Sequence, residues 1–436
     1  MLIEEANLKE GELPLNKVIH GNALTVLKKL PSNSVDSVVT DPPYGLKFMN
    51  QKWDYDVPSV ELWKEVLRVL KPGGHLLSFF GTRTYHRGVI NIEDAGFEIR
   101  DMIQWIYGEG FPKSMDVSKA IDKEFGKLEE RVVIGLKPNI HSWKAEDNTG
   151  NTYGKYGKKF DEVSVLTAPA TPEAEQWQGW GTALKPACEP IVLARKPISE
   201  KNIAQNVLRW GTGGLNISAC RISLPKNDPL QNGVKHNSHK LDTHGVGWGF
   251  KAVDRPAGLG RYPANVILDE EAAKMLDEQS GIVKRNNKVY SGYENKFDNA
   301  IFSFGNGAKD RIRVFADSGG ASRFFYCAKA GRDERFAYCH DCNEVLLQAE
   351  WEKHKDHNVE FHPTVKPLKL IEYLVRLVTP PNGIVLDPFM GTGTSGIAAL
   401  KQGFRFIGIE IRREYCEIAI RRIKNTCVVR RLTEYV

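Results

Sequence analysis

The feature that most constrains the fold is a short apolar run that stops abruptly at an acid, two prolines and an aromatic residue. The residues from Val35 to Val39 predict a buried strand, and they lead into Asp41-Pro42-Pro43-Tyr44. Two consecutive prolines cannot donate to a sheet ladder, so the strand must end at Asp41. The Asp41 carboxylate is therefore predicted at the carboxyl end of a strand, where open α/β sheets bind their ligands.

The amino-terminal part alternates between helical and strand patterns. Amphipathic stripes predict helices over residues 21–30, 62–70 and 85–95, and apolar or alternating runs predict strands over residues 35–40, 75–80 and 97–107. Lys71-Pro72-Gly73-Gly74 indicates that the second helix ends in a turn. A later run, Ile191–Ala194, predicts a strand that pairs with residues 97–107. This order predicts a doubly wound, mostly parallel α/β sheet with an antiparallel hairpin.

Two long segments between these elements are irregular. Residues 108–184 show no long amphipathic period, and residues from roughly 197 to 322 are rich in Gly, Asn, His and Lys. A loop-rich block that is polar and basic is typical of an adaptable recognition surface. A flexible surface insertion explains the same composition, so both interpretations stay open.

The carboxyl-terminal part contains a second strand, loop and helix pattern. A helix that ends at Pro380-Pro381 precedes it, and residues 383–387 predict the strand. The glycines of the following turn are Gly391, Gly393 and Gly396, which fit a dinucleotide-type fingerprint. The next predicted strand ends at Glu410, where an acid can bond a ribose diol. This arrangement predicts a cofactor that contains adenosine.

Cysteine and histidine spacing predicts a metal site. Cys339 and Cys342 are separated by two residues, and eleven residues later His354 and His357 are again separated by two. This spacing resembles a tetrahedral Cys2His2 zinc site, although the histidine gap is shorter than the usual three to five residues. His362 could replace one histidine, and free thiols beside surface histidines are the alternative. Four ligands would predict a structural role, since no coordination position stays open.

Composition sets the broad class of the protein. The chain has 436 residues, of which 41% are hydrophobic and 26% charged, as is typical of globular proteins. Its formal net charge of +6 is compatible with a polyanionic partner. No apolar run approaches the roughly 18 residues of a membrane helix, and the amino terminus lacks the pattern of a signal peptide. We therefore expect no membrane association and a cytoplasmic location.

The two motifs together indicate group transfer to a nucleobase. An oxidoreductase would explain the glycine turn and Glu410 but would give the Asp41 motif no function. A transferase that uses S-adenosylmethionine explains both motifs. The exocyclic amine of a nucleobase is a poor nucleophile because its lone pair is delocalised into the ring. Acceptors on its two N–H bonds, the Asp41 carboxylate and the Pro42 carbonyl, would favour a pyramidal nitrogen aimed at the methyl group. Tyr44 offers a ring for stacking on a base taken out of its helix.

These residues carry a family resemblance. Asp41-Pro42-Pro43-Tyr44 resembles the catalytic motif of DNA amino-methyltransferases, and Asp387-Pro388-Phe389-x-Gly391-x-Gly393 resembles their cofactor loop. The order, with the catalytic motif first, resembles the β class, and His362-Pro363-Thr364-x-Lys366-Pro367 is similar to the segment before its cofactor strand. The resemblance implies a Rossmann-like fold, S-adenosylmethionine as cofactor and double-stranded DNA as partner. It also implies a prokaryotic or phage enzyme that associates with the nucleoid through DNA.

The resemblance further implies roles for single residues. Asp41, Pro42, Pro43 and Tyr44 form the catalytic set. The cofactor set is Asn22, Thr364, Lys366, Asp387, Phe389, Gly391, Gly393, Thr394 and Glu410. Many relatives carry an acid where this chain has Asn22, which could bond the adenine of the cofactor through its amide oxygen or simply cap the first helix.

We therefore expect six segments along the chain. They are a catalytic half of the core (1–112), an insertion (113–186), a returning core strand (187–196), a target-recognition region (197–335), a zinc-binding insertion (336–360) and a cofactor-binding half (361–436).

The leading hypothesis is a site-specific DNA methyltransferase that modifies the N6 amine of adenine. Transfer to the N4 amine of cytosine is the runner-up, because both amines require the same geometry. A non-catalytic DNA-binding regulator that keeps the cofactor fold is a third hypothesis, and the intact Asp41, Pro42 and Tyr44 argue against it. RNA and protein-glutamine substrates are further alternatives, and the latter class would carry Asn in place of Asp41. Some β-class relatives form dimers, so a homodimer is compatible with the resemblance.

Overall fold

The computed structural model describes residues 2–46, 56–108, 114–138, 163–224, 228, 231, 256–285, 288–290, 312–314, 317–328, 336–354, 356–361 and 365–433. The chain divides into two compact units. The first contains Met1–Gly108, Cys188–Arg335 and Val365–Val436, and the second contains Glu109–Ala187 and Phe336–Thr364.

The strands within the described ranges are β1 (Leu2–Glu4), β2 (Lys17–His20), β3 (Val35–Thr40), β4 (Leu70–Phe79), β5 (Glu98–Ile106), β6 (Val133–Pro138), β7 (Val163–Thr167), β8 (Cys188–Arg195), β9 (Val266–Asp269), β10 (Val283–Arg285), β11 (Lys288–Tyr290), β12 (Ile312–Val314), β13 (Asp317–Gly319), β14 (Tyr326–Ala328), β15 (Phe336–Cys339), β16 (Glu344–Leu347), β17 (Val359–Phe361), β18 (Ile384–Asp387) and β19 (Arg405–Glu410). The α-helices are α1 (Ala23–Lys29), α2 (Val60–Val69), α3 (Tyr85–Asp94), α4 (Val117–Glu124), α5 (Pro172–Gln176), α6 (Ile203–Trp210), α7 (Glu270–Ser280), α8 (Leu368–Val378), α9 (Thr394–Lys401) and α10 (Arg413–Thr433).

One large sheet organises the first unit. In the part of the chain that the structure describes, its strand order is β1-β2-β19-β18-β3-β4-β8-β5-β9-β14. Strand β8 runs antiparallel to both of its neighbours, β4 and β5, and the other pairings in the described sheet are parallel. A mostly parallel sheet with an antiparallel hairpin is the architecture that the sequence predicted.

Helices cover both faces of this sheet, because its central strands are apolar on both sides. On one face, buried residues of α8, α9 and α10 pack in one cluster with Val39 and Leu77. On the other face, buried residues of α1, α2 and α3 pack with Val38 and Leu76. Neighbouring residues of one strand thus enter opposite cores, as the two-residue period of a strand requires. The sheet is therefore doubly wound.

The predicted elements of the amino-terminal part are confirmed, with one correction. The helices α1, α2 and α3 and the strands β3 and β5 lie where the sequence placed them, and β8 pairs with β5 as predicted. The turn predicted at 71–74 is wrong, because these residues belong to β4. The strand tolerates Pro72 and Gly73 through a register shift against β3, with Gly73 at a φ of 79°. The Pro72 carbonyl accepts bonds from Asn206 Nδ2 and Thr212 Oγ1 instead of a ladder bond.

The segment 197–335 contributes regular structure that its composition did not predict. Helices α6 and α7 lie in this segment, and β9 and β14 extend the main sheet beyond β5. Both strands are short and flanked by irregular sequence, so no periodicity reveals them. The role of this segment in target recognition stays a prediction.

The second unit has its own small elements. The β6–β7 hairpin and the helices α4 and α5 lie in its first segment, and β15 pairs with β16 and β17 in its second segment. Asp122 is buried, and it accepts bonds from the Ala170 amide at 3.0 Å, from Thr171 Oγ1 at 2.7 Å and from Arg131 Nη1. This carboxylate therefore ties α4 to the start of α5.

Among the described residues, no helix combines the length and the apolar character that crossing a bilayer requires.

Candidate active site

Acids from three neighbouring strands meet at one edge of the main sheet. Asp41 follows β3, Asp387 ends β18 and Glu410 ends β19. Strand β18 pairs in parallel with both β3 and β19, so their carboxyl ends point the same way. Thr40 Oγ1 donates to Asp387 Oδ1 at 2.6 Å, although 347 residues separate the two in sequence. The Asp41 motif and the glycine loop after β18 are thus brought side by side.

The Asp41 carboxylate is held on both of its oxygens. The Tyr44 hydroxyl donates to Oδ1 at 2.7 Å, and Lys366 Nζ donates to Oδ2 at 2.6 Å. Pro42 is buried and Pro43 half-buried, which fixes the backbone that carries the acid. A carboxylate oxygen has more than one lone pair, so Asp41 can still accept a bond from a substrate amine.

A second acid, Glu189, completes this network, and the sequence did not assign it a role. It lies at the beginning of β8, where its Oε2 is 3.1 Å from the Tyr44 hydroxyl and 3.3 Å from Lys366 Nζ. The available signal was a carboxylate in Cys188-Glu189-Pro190, just before a strand that is otherwise apolar. One buried cation therefore bridges two carboxylates.

The pKa shifts in this network reflect burial and mutual attraction. Burial by itself lowers the pKa of Lys366, but the attraction of Asp41 and Glu189 raises the pKa by more than burial lowers it. The net shift is therefore upward, and the ammonium stays charged. Burial raises the pKa of Tyr44, and both acids add to that rise. Burial also raises the pKa of Glu189, against the attraction of Lys366. The network thus holds a fixed positive charge against Asp41.

Two aromatic rings lie close to the buried cation, and two more lie beside Glu189. Lys366 Nζ lies 5.4 Å from the centroid of the Tyr44 ring and 5.3 Å from that of Phe79. Trp105 is the cross-strand partner of Glu189, so the two side chains share one face of the sheet, and the ring of Tyr107 lies 5.1 Å from that of Trp105. Flat apolar surfaces of this kind suit a planar heterocycle.

The glycine loop after β18 turns tightly into α9. Gly391 and Gly393 have φ values of 52° and 87°, and Gly393 caps the helix that begins at Thr394. Arg422 Nη1 donates to the Thr392 carbonyl at 2.7 Å and to Thr394 Oγ1 at 3.1 Å. The buried guanidinium therefore supports the loop and leaves less freedom for its backbone.

Two buried acids frame this loop, and their pKa values rise because they are buried. Burial raises the pKa of Glu410 to about 7, against the bonds donated to it by the Arg412 and Gly391 amides. These amides lie 2.8 Å and 2.9 Å from its two oxygens. Burial likewise raises the pKa of Asp387 to about 6, although it accepts bonds from Thr40 and from the Phe389 amide.

Three of the remaining predicted cofactor residues lie in the described part of the chain, and the fourth does not. Asn22 caps α1, with its Oδ1 accepting from the Leu24 amide at 3.0 Å. Phe389 is half-buried against the core that contains α1, α2 and α3. Lys366 donates a hydrogen bond to Asp41. Thr364 lies outside the described residues.

The four predicted metal ligands converge in the second unit. One potential ligand atom from each of Cys339, Cys342, His354 and His357 lies within 4.8 Å of the others. His362, the alternative ligand, lies outside the described residues.

The loop geometry predicts a large effect of Gly393→Ala. A Cβ at this position would lie 2.8 Å from Ala419 Cβ and 3.0 Å from its Cα, which are not flexible atoms. The left-handed backbone adds about 1–2 kcal/mol for alanine. We expect Gly393→Ala to lower the free energy of unfolding by at least about 2 kcal/mol, measured by denaturant titration.

Gly403→Ala is the matched control, since Gly403 follows the other end of α9. Its φ is 80°, and a Cβ there would meet nothing within 4 Å. This variant should show only the backbone cost of about 1–2 kcal/mol, without the added cost of the contact with Ala419. Equal losses in the two variants would contradict the close approach of the loop to α10.

Comparison with known proteins identifies the family. The family model described as DNA methylase matches residues 35–212 and 224–421, which is most of the chain. The chain therefore belongs to the N6/N4 DNA methylase family.

Individual relatives match short segments. The type II methyltransferase M.ScaI of Streptomyces caespitosus is 43% identical over 63 residues, covering 14% of this chain and 21% of its own length. The DNA adenine methyltransferase YhdJ of Escherichia coli is 45% identical over 64 residues, covering 15% of this chain and 22% of its own. The matched segment thus spans about a fifth of these curated relatives.

Solved structures align along nearly the whole chain at low identity. The PvuII DNA methyltransferase (cytosine-N4-specific) is 14% identical with a TM-score of 0.40, covering 94% of this chain and 90% of that chain. The fold assignment itself rests on the strand order and pairings described above.

Proposed function

We propose that this chain is a DNA methyltransferase that transfers a methyl group from S-adenosylmethionine to the N6 amine of adenine in double-stranded DNA. The observation that carries the proposal is the placement of the Asp41 carboxylate beside the glycine loop of β18, with Lys366 and Tyr44 holding it. Family membership supports the class of reaction, and the similarity to YhdJ, a DNA adenine methyltransferase, supports adenine.

The side chains of this edge suit an acceptor amine. The free lone pairs of Asp41 and the Pro42 carbonyl can each accept one N–H bond, which draws the nitrogen lone pair out of the ring plane. Tyr44 offers its ring face to the base. S-adenosylmethionine, when bound, supplies the sulfonium methyl group. Transfer would form an N–C bond and break the C–S bond, whose electron pair would stay on the sulfur of the departing thioether. Asp41 would stabilise the positive charge that develops on the amine nitrogen and would accept the proton that the nitrogen loses, for release to solvent.

The residues around the loop fit the adenosine part of this cofactor. Glu410 is a buried carboxylate whose two oxygens both accept backbone N–H bonds and can also accept bonds from the hydroxyl groups of a ribose. Gly391, Gly393 and Thr394 surround the methionine end in this proposal, with Asp387 and Phe389 beside them. Asn22 Oδ1 already accepts two helix amides, so its contact with the adenine ring would share that oxygen.

Cofactor affinity should depend on pH through Glu410. Its pKa of about 7 lies above the usual range because of burial, so the acid gains a proton as the pH falls below about 7. Ribose hydroxyl groups bond better to the charged form. We expect the Kd for S-adenosylmethionine, measured by calorimetry, to rise about tenfold between about pH 8 and about pH 6.

The variant Glu410→Gln separates this acid from other titrating groups. It should bind the cofactor about ten- to a hundredfold more weakly at about pH 8, because a charge-assisted bond is lost. Titration of the ligand is common to both proteins, so the difference between their pH dependences reports the loss of the Glu410 carboxylate and its interaction with Asp387. An unchanged pH dependence in Glu410→Gln would contradict the ribose assignment.

We assign recognition of the target DNA sequence to the segment 197–335, and contact with the reacting base to the edge of the main sheet that carries Tyr44. The same acceptors would serve the N4 amine of cytosine, so cytosine is the second candidate base.

The direct test of the reaction class incubates the purified chain with methyl-tritiated cofactor and double-stranded DNA. Incorporation into DNA is expected, whereas cofactor binding without incorporation into any DNA would support a non-catalytic regulator instead.

A further inference from the structure

We infer that Cys339, Cys342, His354 and His357 bind one structural zinc ion, independently of the proposed reaction. The four residues lie in the second unit, on and beside a sheet with the strand order β16-β15-β17. They are two potential thiolates and two imidazoles, the ligand set that zinc prefers. Two thiolate charges balance the charge of the ion.

Four distances between ligand atoms match a tetrahedral site, and all six are within 4.8 Å. With zinc bonds of about 2.3 Å to sulfur and about 2.0 Å to nitrogen, tetrahedral angles place sulfur and nitrogen about 3.5 Å apart and two nitrogens about 3.3 Å apart. The Sγ to Nδ1 distances are 3.4 Å for Cys339–His357, 3.2 Å for Cys342–His357 and 3.6 Å for Cys342–His354. The two Nδ1 atoms lie 3.2 Å apart.

Backbone geometry explains the short gap between the two histidines. His354 ends a 3₁₀ segment, Gln348–His354, and the His357 amide donates to the His354 carbonyl at 3.0 Å. In a 3₁₀-type turn, side chains three residues apart lie above one another. Two intervening residues are therefore enough to bring both rings to one point.

A second turn presents the cysteines to the same point. Residues between Cys339 and Asn343 form a tight turn, with Asn343 at a φ of 57°. Asp341 Oδ2 accepts from the Asn358 amide at 2.7 Å, and the His340 amide donates to the Asn358 carbonyl at 2.9 Å. These bonds fasten the cysteine turn directly to the residue after His357.

The small core of this segment supports a structural role. Its buried cluster, among the described residues, contains Ala337, Cys339 and Leu346, with Trp351 and Val359 packed against it. So few apolar residues give little stabilisation, and small folds of this kind commonly rely on a metal. Because four protein ligands fill a tetrahedron, no position is open for catalysis.

Metal analysis of the full chain, purified without chelators, tests the site. We expect about one zinc ion per chain in the natural protein and less than about a tenth in Cys342→Ser. His340→Asn is the matched control, because His340 lies in the same turn outside the four ligands, and it should retain zinc. A natural protein with less than about a tenth of an equivalent, or with a Cys339–Cys342 disulfide after reducing purification, would overturn the inference.

A ligand exchange keeps the test valid where a variant folds poorly. His354→Cys preserves four ligands and should retain zinc, whereas His354→Ala should lose it. Cobalt added to zinc-depleted natural protein should give the charge-transfer band of cobalt bound to thiolate, and the band should weaken in Cys342→Ser. Equal zinc contents in His354→Cys and His354→Ala would exclude His354 as a ligand and contradict the four-ligand site.

Discussion

Replacing Asp41 with alanine is expected to lower the rate of methyl transfer to DNA about a thousandfold, while the cofactor still binds. In the proposed reaction the carboxylate is the acceptor that stabilises positive charge on the amine, and loss of such a group typically costs two to three orders of magnitude. The fold should persist because Lys366 keeps Glu189 as a counter-ion at 3.3 Å. Single-turnover transfer of a tritiated methyl group measures the rate, and calorimetry measures cofactor binding.

The control for this experiment is Asp94→Ala, which removes an exposed acid at the end of α3. It should leave the rate unchanged. A rate in Asp41→Ala within about threefold of the natural protein, with both variants equally stable, would defeat the catalytic assignment of Asp41.

Replacing Lys366 with methionine is expected to slow transfer about ten- to a hundredfold at neutral pH and to shift the pH profile. Without the ammonium, Glu189 loses the attraction that opposes the rise of its pKa, so it holds a proton to a higher pH. The proposed reaction needs negative charge at this edge to stabilise the amine, so activity should recover as the pH rises. Loss of the buried cation should also lower the free energy of unfolding by about 2–4 kcal/mol.

The double variant Lys366→Met/Glu189→Gln tests this reasoning, since it removes the cation and the repelling acid together. Its rate at neutral pH should exceed that of Lys366→Met, and its pH profile should move back towards that of the natural protein. If Lys366→Met changes only the affinity for S-adenosylmethionine, with an unchanged pH profile, Lys366 serves the cofactor and does not position Asp41.

Much of the first unit could be predicted because particular residues in the local sequence mark where its strands end. Pro42 and Pro43 end β3, and the glycines after β18 mark the turn into α9. The carboxyl ends of parallel strands share one edge of a sheet, so the meeting of Asp41 with the β18 loop followed from the predicted topology. The strand pairing of β3 with β18 confirms that expectation.

The parts that could not be predicted depend on contacts between distant residues. The local sequence marks Glu189 only as an acid before an apolar strand, and its contact with Lys366 becomes visible only where β8 inserts between β4 and β5. Strand β4 begins earlier than expected because Asn206 and Thr212 satisfy the Pro72 carbonyl. Strands β9 and β14 are too short to carry a period of their own.

Identification of the modified base tests the central proposal most directly. DNA from a methylation-deficient host that expresses this chain is digested to nucleosides and analysed by mass spectrometry, with Asp41→Ala as the control. We expect N6-methyladenine in DNA modified by the natural chain and none above background with the variant. N4-methylcytosine without N6-methyladenine would contradict the assignment to adenine, and the absence of any methylated base from an expressed, folded chain would contradict the proposed activity.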